Sequence, residues 1–139
     1  MSYVRFTPRR PIKSFTDLEV YQKLLNVAVV VVKKISPEKS GSERNQTLKN
    51  QLCDLLLSLP MKVAEAHSIR FSDKTKSLAV LEEVMLGCNR SVVYLELYRD
   101  LAESGIENEF FEEHIKNLQT VRWKVMHLAR SWEKFSQTP

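Results

Sequence analysis

The sequence predicts an all-α fold, an antiparallel four-helix bundle, on three observations. Only three glycines punctuate the 139 residues, too few for a multi-stranded β fold that must turn roughly every ten residues. Apolar residues recur at alternating spacings of three and four in four separate stretches, the period of helices with one buried face. Polar, cap-forming residues separate those stretches, and most of the links are short, which favours antiparallel neighbours. A chain of this length fits one domain and buries roughly 70 % of the surface its unfolded form exposes. We divide it into a basic tail, 1–13, and a single bundle domain, 14–139.

The first helix is expected to begin at Phe15-Thr16-Asp17-Leu18-Glu19-Val20, where Thr16 and Glu19 have capping-box spacing and Phe15 and Val20 staple spacing. Its seam reads Leu18, Tyr21, Leu25, Ala28, Val32 and Ile35. The β-branched run Val29 to Val32 would tolerate a strand, but the cap and the longer period favour helix. Ser36-Pro37 and the polar stretch to Asn45 form the one longer link. The second helix spans about Thr47 to Ile69 on Leu48, Leu52, Leu55, Leu59, Val63 and Ala66. Pro60 inside it should kink the helix without breaking it. Ser72-Asp73 caps a third helix carrying Leu78, Leu81, Met85, Cys88, Val92 and Leu95, which ends before Gly105. Asn108 caps the fourth, with seam Leu118, Val121, Val125, Leu128, Trp132 and Phe135.

With 43 % apolar and 27 % charged residues the composition is that of an ordinary globular protein. The longest apolar run, Val27 to Val32, is far short of a membrane span, and the arginine-rich start lacks the apolar centre of a signal peptide. A cytoplasmic location without membrane contact is the expectation. Cys53 and Cys88 match no metal or redox spacing and read as reduced core residues. His67, His114 and His127 lack the Glu-x-x-His context of di-iron bundles, and no phosphate loop or nucleophile motif occurs. The expectation is therefore a non-enzyme with no catalytic residues, cofactor or metal, though a site assembled only by the tertiary fold stays open.

A second apolar stripe on the first helix, Val20, Leu24, Val27 and Val31, lies beside the seam, and on the second helix Cys53, Leu57 and Ala64 widen the apolar arc. Either the single core is thick, or these helices meet a second copy of the chain, because large apolar patches are uncommon on monomers. We assign Val20, Leu24, Val27, Val31 and Leu57 to an oligomer interface.

Two segments carry a resemblance. Phe15-Thr16-Asp17-Leu18-Glu19-Val20-Tyr21-Gln22-Lys23, together with Gln51-Leu52 and Ser58-Leu59-Pro60-Met61-Lys62-Val63-Ala64-Glu65, resembles the four-helix-bundle proteins encoded in 23S rRNA intervening sequences. That superfamily includes the accessory variability determinant of diversity-generating retroelements. The likeness covers about two thirds of the chain. Relatives carry glycine where this chain has Ala66, and Gly-Ser where it has Gly87-Cys88. The resemblance implies a non-catalytic bundle assembled as a homopentameric ring. In the retroelement branch it further implies binding to nucleic acid (RNA or single-stranded DNA) and to the reverse transcriptase, assisting mutagenic cDNA synthesis. The intervening-sequence branch implies only a self-assembling structural or interaction protein with no established biochemical role. Glu65 occupies the family's glutamate position.

Two basic clusters fit a polyanion partner. Lys and Arg outnumber Asp and Glu by 21 to 17, a mild excess that matters only where it is concentrated. Arg5, Arg9, Arg10 and Lys13 lie close together in the tail. On the fourth helix Lys116, Trp123, His127, Arg130 and Lys134 share the side opposite the seam, a basic stripe with an aromatic inside it that suits single-stranded nucleic acid. The alternative is that Trp123 packs on a neighbouring subunit or under Arg130 and that the basic residues complement the helix dipole, with Glu109, Glu112 and Glu113 at the other end; the same stripe could also meet an acidic protein surface.

Overall fold

The computed structural model describes residues 12–39 and 41–135, with the side chain of Phe135 outside the description. Among the described residues it has four α-helices: α1 (Glu19–Ile35), α2 (Glu43–Ile69), α3 (Lys74–Leu101) and α4 (Asn108–Phe135). No strand occurs among the described residues. Each helix packs on its neighbours in the chain, and α4 closes on α1. The helices alternate in direction. Asn45 near the start of α2 donates to the Leu101 carbonyl at the end of α3, and Lys124 late in α4 meets Glu19 at the start of α1. Among the described residues no helix is long and apolar enough to cross a membrane.

The chain enters α1 one step earlier than the Thr16–Glu19 spacing predicts. Ser14 caps a 3-10 turn, Phe15–Asp17, in a box closed by the Asp17 carboxylate, which accepts from the Ser14 and Lys13 backbone N–H groups at 3.1 and 2.9 Å. Thr16 is taken up by the Ser14 hydroxyl, 2.6 Å away, and Glu19 is left for ion pairs. Leu18 then starts α1 with no side-chain cap. α2 begins at Glu43 and not near Thr47, because the Ser42 hydroxyl accepts from the Asn45 N–H at 3.1 Å and so supplies the missing cap. It continues unbroken through Pro60. Asp73 caps α3 as predicted, accepting from the Lys76 N–H.

The inward face of α1 corrects the sequence reading. Val20, Leu24, Val27 and Val31, assigned above to an oligomer interface, are each at most 5 % exposed and form the subunit's own core with Leu18, Ala28 and Ile35. Leu25, placed on the seam, is exposed. The two stripes are adjacent, about a quarter turn apart, so hydropathy alone cannot rank them. The neighbours decide: α4 meets the flank holding Lys23 and Asn26, α2 meets the other, and the line between those flanks points inward. Leu57 is exposed and remains available for an interface.

On α3 the inward line includes small residues that a leucine-based seam overlooks: Ser77, Gly87 and Ser91, with Val80, Val84 and Tyr98. A Cβ on Gly87 would collide with the Leu59 side chain, so this glycine sets how closely α2 and α3 approach. The Ser77 hydroxyl donates to the Ala66 carbonyl at 2.7 Å across the same contact. Leu78, Met85 and Val92 sit only part-buried at its edge. On α4 Phe111 and His114 join Leu118, Val121 and Val125 in the core, with Leu128 and Trp132 part-buried.

The α1–α2 link is tied down from below. Lys49 is 94 % buried along with its stem, since it is only 6 % exposed, and its ammonium donates to the carbonyls of Ser36 and Glu38 just past the end of α1. The buried Tyr98 hydroxyl donates to the Glu38 carboxylate at 3.0 Å. Burial, and secondarily that bond, push the phenol well above its ordinary range.

Candidate polyanion interface on α4

Core packing turns the inner side of α4 toward α1 and α3 and so fixes its outer side. At 100° per residue Lys116, Trp123, His127, Arg130 and Lys134 fall within about 60° of arc, opposite Val121. All five are exposed, Trp123 by 55 %. Trp123 does not lie in the core: its ring contact is with His127, centroids 4.0 Å apart, edge against face. One helical turn thus carries two aromatic rings in edge-to-face contact, followed by Arg130 and Lys134.

The stripe is not uniform along its length. Lys116 is separated from Trp123 by two turns and follows the exposed Glu109, Glu112 and Glu113, so the first half of the outer face is predominantly acidic. The basic and aromatic character is concentrated from Trp123 to Lys134. Those residues lie toward the C-terminal end of α4, where the helix dipole is negative and cations are favoured by about 0.3–1 kcal/mol each.

Beside the ring pair a shallow groove of about 360 Å³ runs between α4 and the start of α1, lined by Leu18, Glu19, Val20, Trp123, Lys124, His127 and Leu128. Its acidic group is compensated. The Glu19 carboxylate meets Lys23 at 3.8 Å and Lys124 at 3.4 Å, so these two cations are partly engaged while Arg130 and Lys134 are displayed outward. The groove has apolar walls, one exposed indole face and a cationic margin. It can take a planar ring against Trp123 while charge on the partner lies along Arg130 and Lys134. Lys124 and Glu19 belong to this site only because α1 meets α4, which local spacing does not reveal.

The tail assignments fall mostly elsewhere: Arg5, Arg9 and Arg10 lie outside the described residues, and Lys13 is exposed at the start of the described segment. Glu65 is exposed on α2. Cys88 is fully buried, and burial pushes its thiol up to about 12, so it is an unreactive core residue; Cys53 is part-buried and its thiol is also raised, by burial first. His67 and His114 are buried on α2 and α4. No family model, curated protein or solved structure matches the chain.

Proposed function

We propose that the chain is a non-catalytic, self-assembling helical protein that binds single-stranded nucleic acid through α4 and serves as an accessory to a reverse transcriptase in mutagenic cDNA synthesis. The observation that carries the binding half is the exposed Trp123–His127 ring pair followed by Arg130 and Lys134. An indole exposed on a helix face gives a base a stacking platform, and the adjacent cations gain by releasing counterions from phosphates. This combination is indifferent to sequence, as an accessory to polymerisation requires. The polymerase partner rests on the resemblance of residues 15–23 and 51–65.

Self-assembly is supported by two separate exposed apolar surfaces. Leu25 and Val29 of α1 lie on the flank away from α4, toward α2, where Leu57 and the 69 % exposed Met61 are also uncovered. On α3, Leu86, Val93 and Leu97 line the side opposite its core face. Two different patches on one subunit favour a head-to-tail contact, which closes into a ring when the rotation between copies permits. A pentamer is the stoichiometry we assign. The test is light scattering of the purified protein with and without oligo(dT) or oligo(U). The proposal requires a pentamer mass that increases with added strand. A monomer whose mass is unchanged by either strand contradicts both halves.

A further inference from the structure

A second concave site adjoins the α4 groove, sharing Leu18 and Leu128 with it but none of the five stripe residues. Its cavity, about 400 Å³, is lined by Ile12, Leu18, His67, Arg70, Phe71, Leu128, Ser131 and Trp132. That volume is within the about 300–1,000 Å³ range of small-molecule sites, which are mostly apolar with a few convergent polar groups. The polar groups here are three. His67 is 7 % exposed, and its Nε2 is buried with no hydrogen-bond partner among the described residues. Arg70 ends α2, donating from one guanidinium nitrogen to the His67 carbonyl at 2.7 Å while its guanidinium carbon stands 4.3 Å from the Phe71 ring centroid. Ser131 contributes a hydroxyl from α4.

These features are not explained by packing. Phe71 is 85 % exposed at the mouth, an unusual position for a phenylalanine that covers nothing, and it holds the guanidinium plane in place. A buried imidazole nitrogen without a partner is destabilising, and a hydrogen-bonding guest would offset that cost. Burial, and then the Arg70 charge, lower the His67 pKa, with Asp17 opposing them, so the ring is neutral at pH 7 and one of its nitrogens carries a proton.

We propose that this cavity binds a small amphipathic monocarboxylate, its apolar body against Leu18, Leu128 and Trp132 and its carboxylate on Arg70 and the His67 Nε2–H. One arginine beside a neutral imidazole matches a single negative charge. The planar guanidinium fork fits a carboxylate in two-point contact, and its remaining N–H groups face no ion pair among the described residues. A dianionic phosphate would be left half compensated against apolar walls. The proposal is independent of nucleic-acid binding on α4.

Octanoate is the probe, with 1-octanol as its uncharged counterpart, read by the fluorescence of Trp132 in a Trp123→Phe chain that retains one tryptophan. Saturable change with octanoate, and at least tenfold weaker binding of 1-octanol, is the expected result. Arg70→Gln should weaken octanoate at least tenfold and leave 1-octanol unaffected, and Arg70→Lys should restore part of the loss. Ser131→Leu, with helicity checked by circular dichroism, should abolish both by filling the cavity. No saturable response to octanoate in the parent, equal affinity for the two probes, or undiminished octanoate binding in a folded Arg70→Gln chain overturns the proposal.

Discussion

Trp123 and His127 stand one turn apart on the outer face of α4 with their rings in edge-to-face contact, 4.0 Å between centroids. Because Trp123 is exposed and outside the core, its removal should leave the fold intact and affect only what it stacks on. Trp123→Ala is expected to weaken oligo(dT) binding by about 1–3 kcal/mol, the range for loss of one base–aromatic stack. Fluorescence anisotropy at fixed salt measures the loss, and an unchanged thermal melt confirms the fold.

The buried face of α1 and the exposed apolar face of α2 separate two mutants. Val27→Lys introduces a charge into the subunit core and should unfold it, since an unpaired buried charge is not tolerated. Leu57→Lys alters an exposed position and should lower the assembly state of a subunit that stays helical. Sedimentation with circular dichroism distinguishes the two; a Leu57→Lys protein with the parent's mass would remove this patch from the interface.

Lys49 links the end of α1 to the start of α2 by donating to two carbonyls from a buried position. Lys49→Met keeps most of the stem and removes the charged donor. The Ser36 and Glu38 carbonyls then lose their partner, and a loss of about 1–3 kcal/mol is expected by urea denaturation.

His67 and His114 make the fold sensitive to acid. Burial depresses both below the ordinary value of 6.5; Asp17 opposes the shift at His67 and Glu113 at His114. Between the depressed folded value and 6.5 the unfolded chain binds more protons than the folded one. Stability contributed by the neutral rings is therefore complete above about pH 6.5 and is lost as pH falls toward the folded values. Urea midpoints should be level from pH 8 to 7, as far as these groups contribute, and decline by pH 5. His114→Gln should reduce the decline.

Much of the architecture is legible in the sequence because helix period and caps are local. The α3 start follows directly from the Asp73 side chain next to the helix end, and α4 starts with Asn108 as its first residue. The α1 face was not legible, since Val20 to Val31 and Tyr21 to Val32 are equally apolar and only α2 and α4 break the tie. Ser77, Gly87 and Ser91 were invisible for a related reason: they serve the core by being small, which hydropathy does not register. The α4 stripe was legible because the opposing seam is unambiguous, whereas the adjoining groove needs Leu18, Glu19 and Val20 from a distant segment. The acidic Glu109, Glu112 and Glu113 were also visible, and the structure leaves them on the outer face ahead of the basic half.

The most direct test of the account is the salt dependence of oligo(dT) affinity in the Arg130→Glu, Lys134→Glu double mutant against the parent. Both residues are exposed and outside the core, so helicity and assembly should be retained. Each lost phosphate contact flattens the slope of log affinity against log salt by about 0.7 for a single strand. The account predicts a slope shallower by about 1.4, with affinity at low salt reduced at least tenfold. A folded, assembled double mutant that binds oligo(dT) with the parent's affinity and slope would contradict it.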